Sequence, residues 1–279
     1  MDTFKVGERK IGGSYPTFVV AEIGINHNGD VSIAEKLVEE ASRCKADAVK
    51  LQTYVTEKRV PKDSSVYGIL KKCELSHEAQ ADLKALAERR GLIFFSTPFD
   101  LDSVDFLRRL GVGLFKIASF DLVNVALLRK VASAKSPVIA SRGMANRSEI
   151  DSAIGIFEDH CIPYALLHCI SAYPAPKDQA NLNVIRALAR TYDCPVGYSD
   201  HTLGVEVPVY AVAVGAKIIE KHLTLDKRLE GPDHALSADP AEFAMMVSRI
   251  RELESILGES EFRVYEAEKA TMVHRRPSD

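Results

Sequence analysis

His201 and His222 each stand just past a short apolar run, with a carboxylate beside them. The first lies in Gly-Tyr-Ser-Asp-His over 197–201, the second in Lys-Ile-Ile-Glu-Lys-His over 217–222. If both runs are parallel strands, both imidazoles leave the sheet at the same end and can share a divalent metal. Lys50 and Lys116 interrupt apolar runs in the same manner, as Ala-Val-Lys-Leu-Gln and Leu-Phe-Lys-Ile-Ala. A lysine buried by such neighbours needs an anion or a catalytic task. With the hydroxyls of Thr97, Ser119 and Ser199, two lysines suit a phosphate and a carboxylate on one small ligand. Two other uses stay open: a Schiff-base lysine, as in class I aldolases, and internal pairing with Glu22 or Glu220.

Positioning these groups requires a repeating scaffold, and the sequence supplies one. Apolar runs that read as strands buried on both faces fall at 17–25, 46–52, 92–96, 113–118, 137–140, 164–168, 195–198 and 216–220. Helical periodicity falls between them, at 32–44, from Ser76 to about residue 90, and at 101–110, 122–134, 147–159, 180–192 and 205–214, with a last helix at 240–257. Ser76 is the expected N-cap of its helix and Gly91 the expected C-cap. Eight strand–helix units in this length predict an α/β fold, a single (β/α)8 barrel, with an open doubly wound sheet as competitor. Residues 3–14 are expected to form a short hairpin over one end, and the charged tail after Gly258 to pack loosely.

The bulk numbers set limits. The chain has 279 residues, 46% hydrophobic and 27% charged, within the range of one large barrel. A net charge of −3 and a pI near 6.3 give no drive toward nucleic acid or an anionic membrane. Five cysteines, irregularly spaced and without a Cys-x-x-Cys pair, point to free thiols and a cytoplasmic setting. The N-terminus has no signal-peptide pattern, and no apolar run is long enough to span a bilayer.

In a barrel of this kind, chemistry sits at the C-terminal ends of the strands. Those ends carry Glu22, Lys50 with Gln52, Thr97 after Ser96, Lys116 with Ser119, Ser141 with Arg142, His168, Ser199 with Asp200 and His201, and Glu220 with His222. Any one of these could be a solvated or paired side chain. Polar groups at nearly every strand end favour an active site, because each unpaired buried charge is costly. His27, in the turn Asn26-His27-Asn28-Gly29, reads as a loop-packing residue, and His168 as a satisfied core histidine. Arg142 is either a ligand-facing cation or half of a surface pair.

Taken in order, the motifs resemble the sialic acid synthase family. They are Ala-Glu-Ile-Gly-Ile-Asn-His-Asn-Gly-Asp (21–30), Val-Lys-Leu-Gln-Thr (49–53), Ser-Thr-Pro-Phe (96–99), Lys-Ile-Ala-Ser (116–119), Ser-Ala-Tyr-Pro-Ala-Pro (171–176), Gly-Tyr-Ser-Asp-His-Thr (197–202), Glu-Lys-His (220–222) and Gly-Pro-Asp (231–233). The likeness spans roughly residues 15 to 270. It implies a TIM barrel that condenses phosphoenolpyruvate with an N-acetylmannosamine-like sugar or a diacetamido-trideoxyhexose. The products would be N-acetylneuraminate, legionaminate or pseudaminate type 2-keto acids.

The resemblance also implies roles. His201 and His222 would hold the metal, manganese first, with magnesium or cobalt as alternatives. Lys50, Thr97, Lys116, Ser119 and Ser199 would contact phosphoenolpyruvate. Glu22 would stand near the metal and the sugar aldehyde, and Tyr173 and Asp233 would hold sugar hydroxyls. Glu22, Lys116, Asp121, His201 and His222 form the expected catalytic set, with Ser171 added to the substrate contacts. The metal would polarise the open-chain aldehyde and supply water for C2, C3 of phosphoenolpyruvate would attack, and phosphate would leave by C–O cleavage. Two histidines leave room for water and substrate around the metal, and Asp200 or Glu220 is expected to orient an imidazole.

Three departures stand out. Asp121 occupies a position that is glutamate in many members. Ser171 stands where some neuraminate synthases have asparagine, and this motif, with Ser-Phe after Lys-Ile-Ala, leans toward the pseudaminate branch. Members usually continue into an antifreeze-like domain; the reading here is one domain over 1–279 without it, with a cap at 1–16 and a tail at about 258–279. A homodimer or a separate lid-supplying protein is then expected to cover the sugar. The competing readings are a non-catalytic sugar- or phosphate-binding relative and a Schiff-base pyruvate aldolase using Lys50 or Lys116.

Overall fold

A computed structural model describes residues 3–276. The expected cap and tail therefore each extend slightly outside the described residues. The chain opens with an antiparallel hairpin, β1 (Thr3–Val6) and β2 (Arg9–Gly12). The strands β3 (Phe18–Gly24), β4 (Ala48–Thr53), β5 (Ile93–Pro98), β6 (Phe115–Ile117), β7 (Val138–Ser141), β8 (Tyr164–His168), β9 (Val196–Asp200) and β10 (Ile218–His222) follow. All eight are parallel neighbours in chain order, and β10 pairs with β3 to close the barrel. The open-sheet competitor is excluded.

Helices fill the crossovers: α1 (Val31–Arg43), α2 (Thr56–Arg59), α3 (Tyr67–Cys73), α4 (His77–Arg89), α5 (Leu101–Leu110), α6 (Val125–Ala132), α7 (Arg147–Asp159), α8 (Asn183–Thr191), α9 (Glu206–Ala213) and α10 (Pro240–Leu257). Their starts follow the sequence. Ser76 accepts from the Ala79 amide at the head of α4, and Asn146 and Asp239 form capping boxes with Glu149 and Glu242. The segment between β4 and α4, where the sequence shows no strand or helix pattern of its own, contains the short helices α2 and α3. Beyond Gly258 the tail is exposed and holds a 3₁₀ segment, Glu266–His274.

Strand side chains alternate between the barrel interior and the surrounding helices. The bottom of the interior is apolar: Phe18, Val20, Ala48, Phe95, Leu114, Ile139, Leu167 and Ile218 form one cluster. Phe4, Val6 and Ile11 of the hairpin join it, so the hairpin plugs the N-terminal mouth. A second, larger cluster lies between barrel and helices. Moving toward the C-terminal ends, the interior-facing positions turn polar.

Candidate active site

The change of character occurs strand by strand at one parity. Val20 gives way to Glu22, Ala48 to Lys50, Phe95 to Thr97, Leu114 to Lys116, Ile139 to Ser141, Gly197 to Ser199 and His201, and Ile218 to Glu220 and His222. All of these polar residues line one cavity of about 660 Å³ at the C-terminal mouth. Asp121, Ser119, Tyr173 and Asp233 reach the same cavity from the loops. Every residue of the expected catalytic, substrate-binding and metal-binding sets except Ser171 therefore lines it. Ser171 stands just behind, its hydroxyl 2.8 Å from that of Ser119. Gly143 packs against this pair: its φ is +36°, and a Cβ there would lie 2.2 Å from the Ser119 Cβ.

Two lysines and two glutamates form the floor. Lys50 pairs with Glu22, lies 3.7 Å from Glu220 Oε1, and donates to Thr97 Oγ1 at 3.1 Å. Lys116 lies 3.6 Å from the same Glu220 oxygen, to which Ser199 Oγ donates at 3.0 Å. Burial works against each of these charges, and the partners decide the outcome. Lys50 is held above its ordinary value because Glu22 and Glu220 outweigh burial. Lys116, with less carboxylate nearby and Lys50 adjacent, falls below its own. Burial pushes Glu22 up to about 7, with Lys50 opposing and Glu220 adding. In Glu220, burial is outweighed by Lys116, Lys50 and the Ser199 hydroxyl, and the carboxyl sits below its usual range. Gly24 makes the Glu22 geometry feasible. The β3–β4 register slips between Glu22 and Gly24, where φ is +48° and a Cβ would stand 2.8 Å from Glu22 Oε1.

The two imidazoles face each other with ring centres 5.7 Å apart, and Tyr173 lies 4.2 Å from the His201 ring. His201 Nδ1 donates to the Ile170 carbonyl at 2.8 Å, which leaves Nε2 as a free lone pair. Burial holds both rings below the ordinary histidine value, His222 well below it, so both are neutral. His222 Nδ1 is buried without a hydrogen bond, 3.8 Å from Asp233 Oδ2. Burial pushes Asp233 up to about 6, against Arg59 and Lys50. Two neutral imidazoles with unused nitrogens fit a divalent cation. Among the described residues no group of three or more His, Cys, Asp or Glu side chains could hold one, so substrate and water would complete the shell.

Residues of the opposite parity point away from the cavity. Asp200 does not orient an imidazole: it accepts from Lys221 Nζ at 2.7 Å and from Thr202, in a pair wholly removed from solvent. Glu220 faces the lysines and Ser199 rather than a ring. His168 donates to the Ala180 carbonyl at 2.8 Å and accepts from Arg142 at 3.1 Å, which makes it the expected core histidine and gives Arg142 an internal partner. His27 accepts from the Gly29 amide inside its own turn. The sequence reading did not single out Arg59 or Cys169, both of which line the cavity. Cys169 continues the interior parity of Ala165 and Leu167. Arg59 comes from α2, where strand periodicity gives no guide.

A sequence profile of the NeuB family matches residues 37–262. The chain is 50% identical, over its whole length and 83% of the relative, to an uncharacterised protein of Methanocaldococcus jannaschii. It is 43% identical to the N,N'-diacetyllegionaminic acid synthase of Legionella pneumophila, over 91% of this chain and 77% of that protein. Among solved structures it matches an N-acetylneuraminic acid (sialic acid) synthetase from Leptospira borgpetersenii, in complex with citrate, at TM-score 0.95 and 40% identity. That match covers 98% of this chain and 96% of the other.

Proposed function

The chain belongs to the NeuB family, and from that premise we propose that it condenses phosphoenolpyruvate with an acylated aminosugar to give a nonulosonic 2-keto acid and phosphate. One observation carries the reading: two lysines balanced by two glutamates share a cavity with two neutral, facing histidines. The first half suits a small polyanion, the second a cation, and a condensation between an enol phosphate and an aldehyde needs both.

Lys50 and Lys116 would meet the phosphate and carboxylate of phosphoenolpyruvate, with the hydroxyls of Thr97, Ser119 and Ser199 as additional donors. Ser171 steadies Ser119 from behind. Held by this set, C3 of the enol is directed at the aldehyde carbon of the sugar, and the new C–C bond forms there. The aldehyde oxygen then needs a proton. Glu22, with its carboxyl pushed up to about 7, is suited to hold and deliver it near neutral pH. Water adds at C2, and phosphate leaves by C–O cleavage as the ketone forms. A divalent cation on His201 and His222, manganese first, would supply Lewis acidity toward the aldehyde. Tyr173 and Asp233 stand beside those rings and would orient the sugar hydroxyls.

The named relative favours an acceptor of the legionaminate branch over the pseudaminate branch that Ser171 and Phe120 suggested. A Schiff-base aldolase at Lys50 is disfavoured because Glu22 and Glu220 hold that lysine in its charged form, whereas imine formation needs a neutral amine. At Lys116, which burial holds below its ordinary value, borohydride trapping with pyruvate is the deciding test. A cytoplasmic setting belongs to the same proposal; among the described residues no helix is long and apolar enough to cross a membrane. The test is phosphate release from phosphoenolpyruvate with manganese and a panel of acylated aminosugars. Release with at least one acceptor is expected. Tight phosphoenolpyruvate binding with no release for any acceptor would instead mark a binding protein.

A further inference from the structure

Arg59 lines the cavity, yet the condensation above gives it no task. Its guanidinium carbon lies 3.6 Å from the centre of the Phe99 ring and 4.6 Å from that of Tyr54. Nη1 donates to Gln52 Oε1 at 3.1 Å. A guanidinium carries five N–H donors. Among the described residues, this is the one side-chain hydrogen bond Arg59 makes, and no carboxylate lies within ion-pairing distance of it. Arg59 lines the cavity, and among the described residues no other acceptor takes up its remaining donors.

The wall next to Arg59 is apolar. Val60, Val66, Ile69 and Leu70 line the same cavity, and Val66 and Ile69 each keep 45% of their surface open. Gln52 connects this wall to the reacting end. Its Nε2 and Glu22 Oε1 stand 3.2 and 2.8 Å from the same point, where a Cβ on Gly24 would lie. Arg59 is thus one residue beyond the carboxyl that faces Lys50.

We propose that Arg59 and this apolar wall form a subsite for a neutral N-acyl group of the acceptor. The acyl oxygen accepts from the free guanidinium N–H groups, and the acyl methyl lies against Val60, Val66 and Ile69. The inference rests on the reading that an aminosugar enters this cavity. A phosphate on the sugar is the other group a guanidinium would attract. Asp121 and Asp233 act on Arg59 from the surrounding elements, with Glu22 beyond them, and the two aspartates would repel a dianion. The hydrocarbon wall would offer such an ion only desolvation. A carbonyl oxygen with a methyl beside it satisfies the donors and the wall together. The acceptor class is therefore a neutral acylamino sugar, not a sugar phosphate.

The experiment compares pairs of aminosugars that differ only by acyl group versus hydroxyl, together with a 6-phosphorylated N-acyl sugar. Each is assayed by phosphate release and by calorimetric binding to the full chain. Wild type should prefer the acylated member of at least one pair, and Arg59→Met should reduce that preference about tenfold or more, the scale of one charge-assisted hydrogen bond. Ile69→Thr, at a half-exposed position where folding is not at risk, should reduce it several-fold in the same direction. A wild-type preference for the phosphorylated sugar that disappears in Arg59→Met would overturn the proposal. So would a loss in Arg59→Met that is equal for acylated and hydroxyl sugars, since that marks a prop for Phe99 and Tyr54. If no sugar supports phosphate release, the condensation reading fails on its own. Calorimetry then still decides the subsite, by whether Arg59→Met abolishes the acyl preference in binding.

Discussion

Lys116 Nζ stands 3.6 Å from Glu220 Oε1, the same oxygen that Lys50 Nζ approaches at 3.7 Å. One carboxylate thus faces two ammonium groups, and neither approach is short enough to be a hydrogen bond. Lys116 is thus only loosely committed, whereas Lys50 is also tied to Glu22 and Thr97, so an incoming anion displaces a carboxylate most readily at Lys116.

Lys116→Ala should raise the KM for phosphoenolpyruvate by roughly 10–100-fold, the scale of one charge-assisted hydrogen bond in a buried site, with a smaller effect on acceptor KM. Unchanged affinity in steady-state kinetics would refute the assignment. Glu220→Gln should act through stability. It strips a counter-charge from two buried lysines at a cost of about 3 kcal/mol or more. Added phosphoenolpyruvate should then raise the melting temperature of the variant more than that of wild type.

His201→Ala and His222→Ala should each abolish metal-stimulated turnover while far-UV circular dichroism stays native. Manganese uptake, followed by electron paramagnetic resonance, should weaken in parallel. Turnover that still responds to manganese in both variants would put the metal elsewhere.

Lys221→Met should destabilise the fold by about 3–5 kcal/mol, because it leaves Asp200 charged and unpaired where no solvent reaches. Urea melts measure this. The KM for phosphoenolpyruvate should stay near that of wild type, since Lys221 faces away from the cavity.

His168 is held neutral by burial, with its folded value lowered to about 4. In the unfolded chain it titrates near about 6.5, so between these values the unfolded state binds more protons. Its contribution, on the order of 3 kcal/mol, is complete above about pH 6.5 and is lost as pH falls toward 4. In His168→Gln, melting temperature should depend less on pH across that window. An identical slope in the two proteins would show that other groups carry the acid sensitivity.

Most of the scaffold could be read from the chain. Apolar runs of strand length alternating with helical periodicity are a strong signal, and 101–110, 147–159, 164–168 and 240–257 coincide with observed elements. Much of the site was legible as well, because a lysine or glutamate inside an apolar run is conspicuous. Strand parity was the unused information. Ser199 and His201 face in while Asp200 faces out, and Glu220 and His222 face in while Lys221 faces out. Counting in twos along β9 from Gly197 would have removed Asp200 from the site in advance. Arg59 was not legible by any such count. Its position depends on how the 53–75 segment folds back over the barrel mouth, and Phe99 and Tyr54 fix it only in three dimensions.

The pairing of β10 with β3 has a consequence for how the protein is made. Lys50 and Lys116 leave the ribosome well before Glu220, the carboxylate they share, and β3 waits without its second neighbour until β10 arrives. A nascent chain that stops short of residue 220 therefore carries two lysines bound for a dry interior with a single glutamate, Glu22, between them. Burying them at that stage is unfavourable. The charge balance of the pocket therefore depends on the last strand of the barrel, since the carboxylate that the two lysines share is supplied by β10.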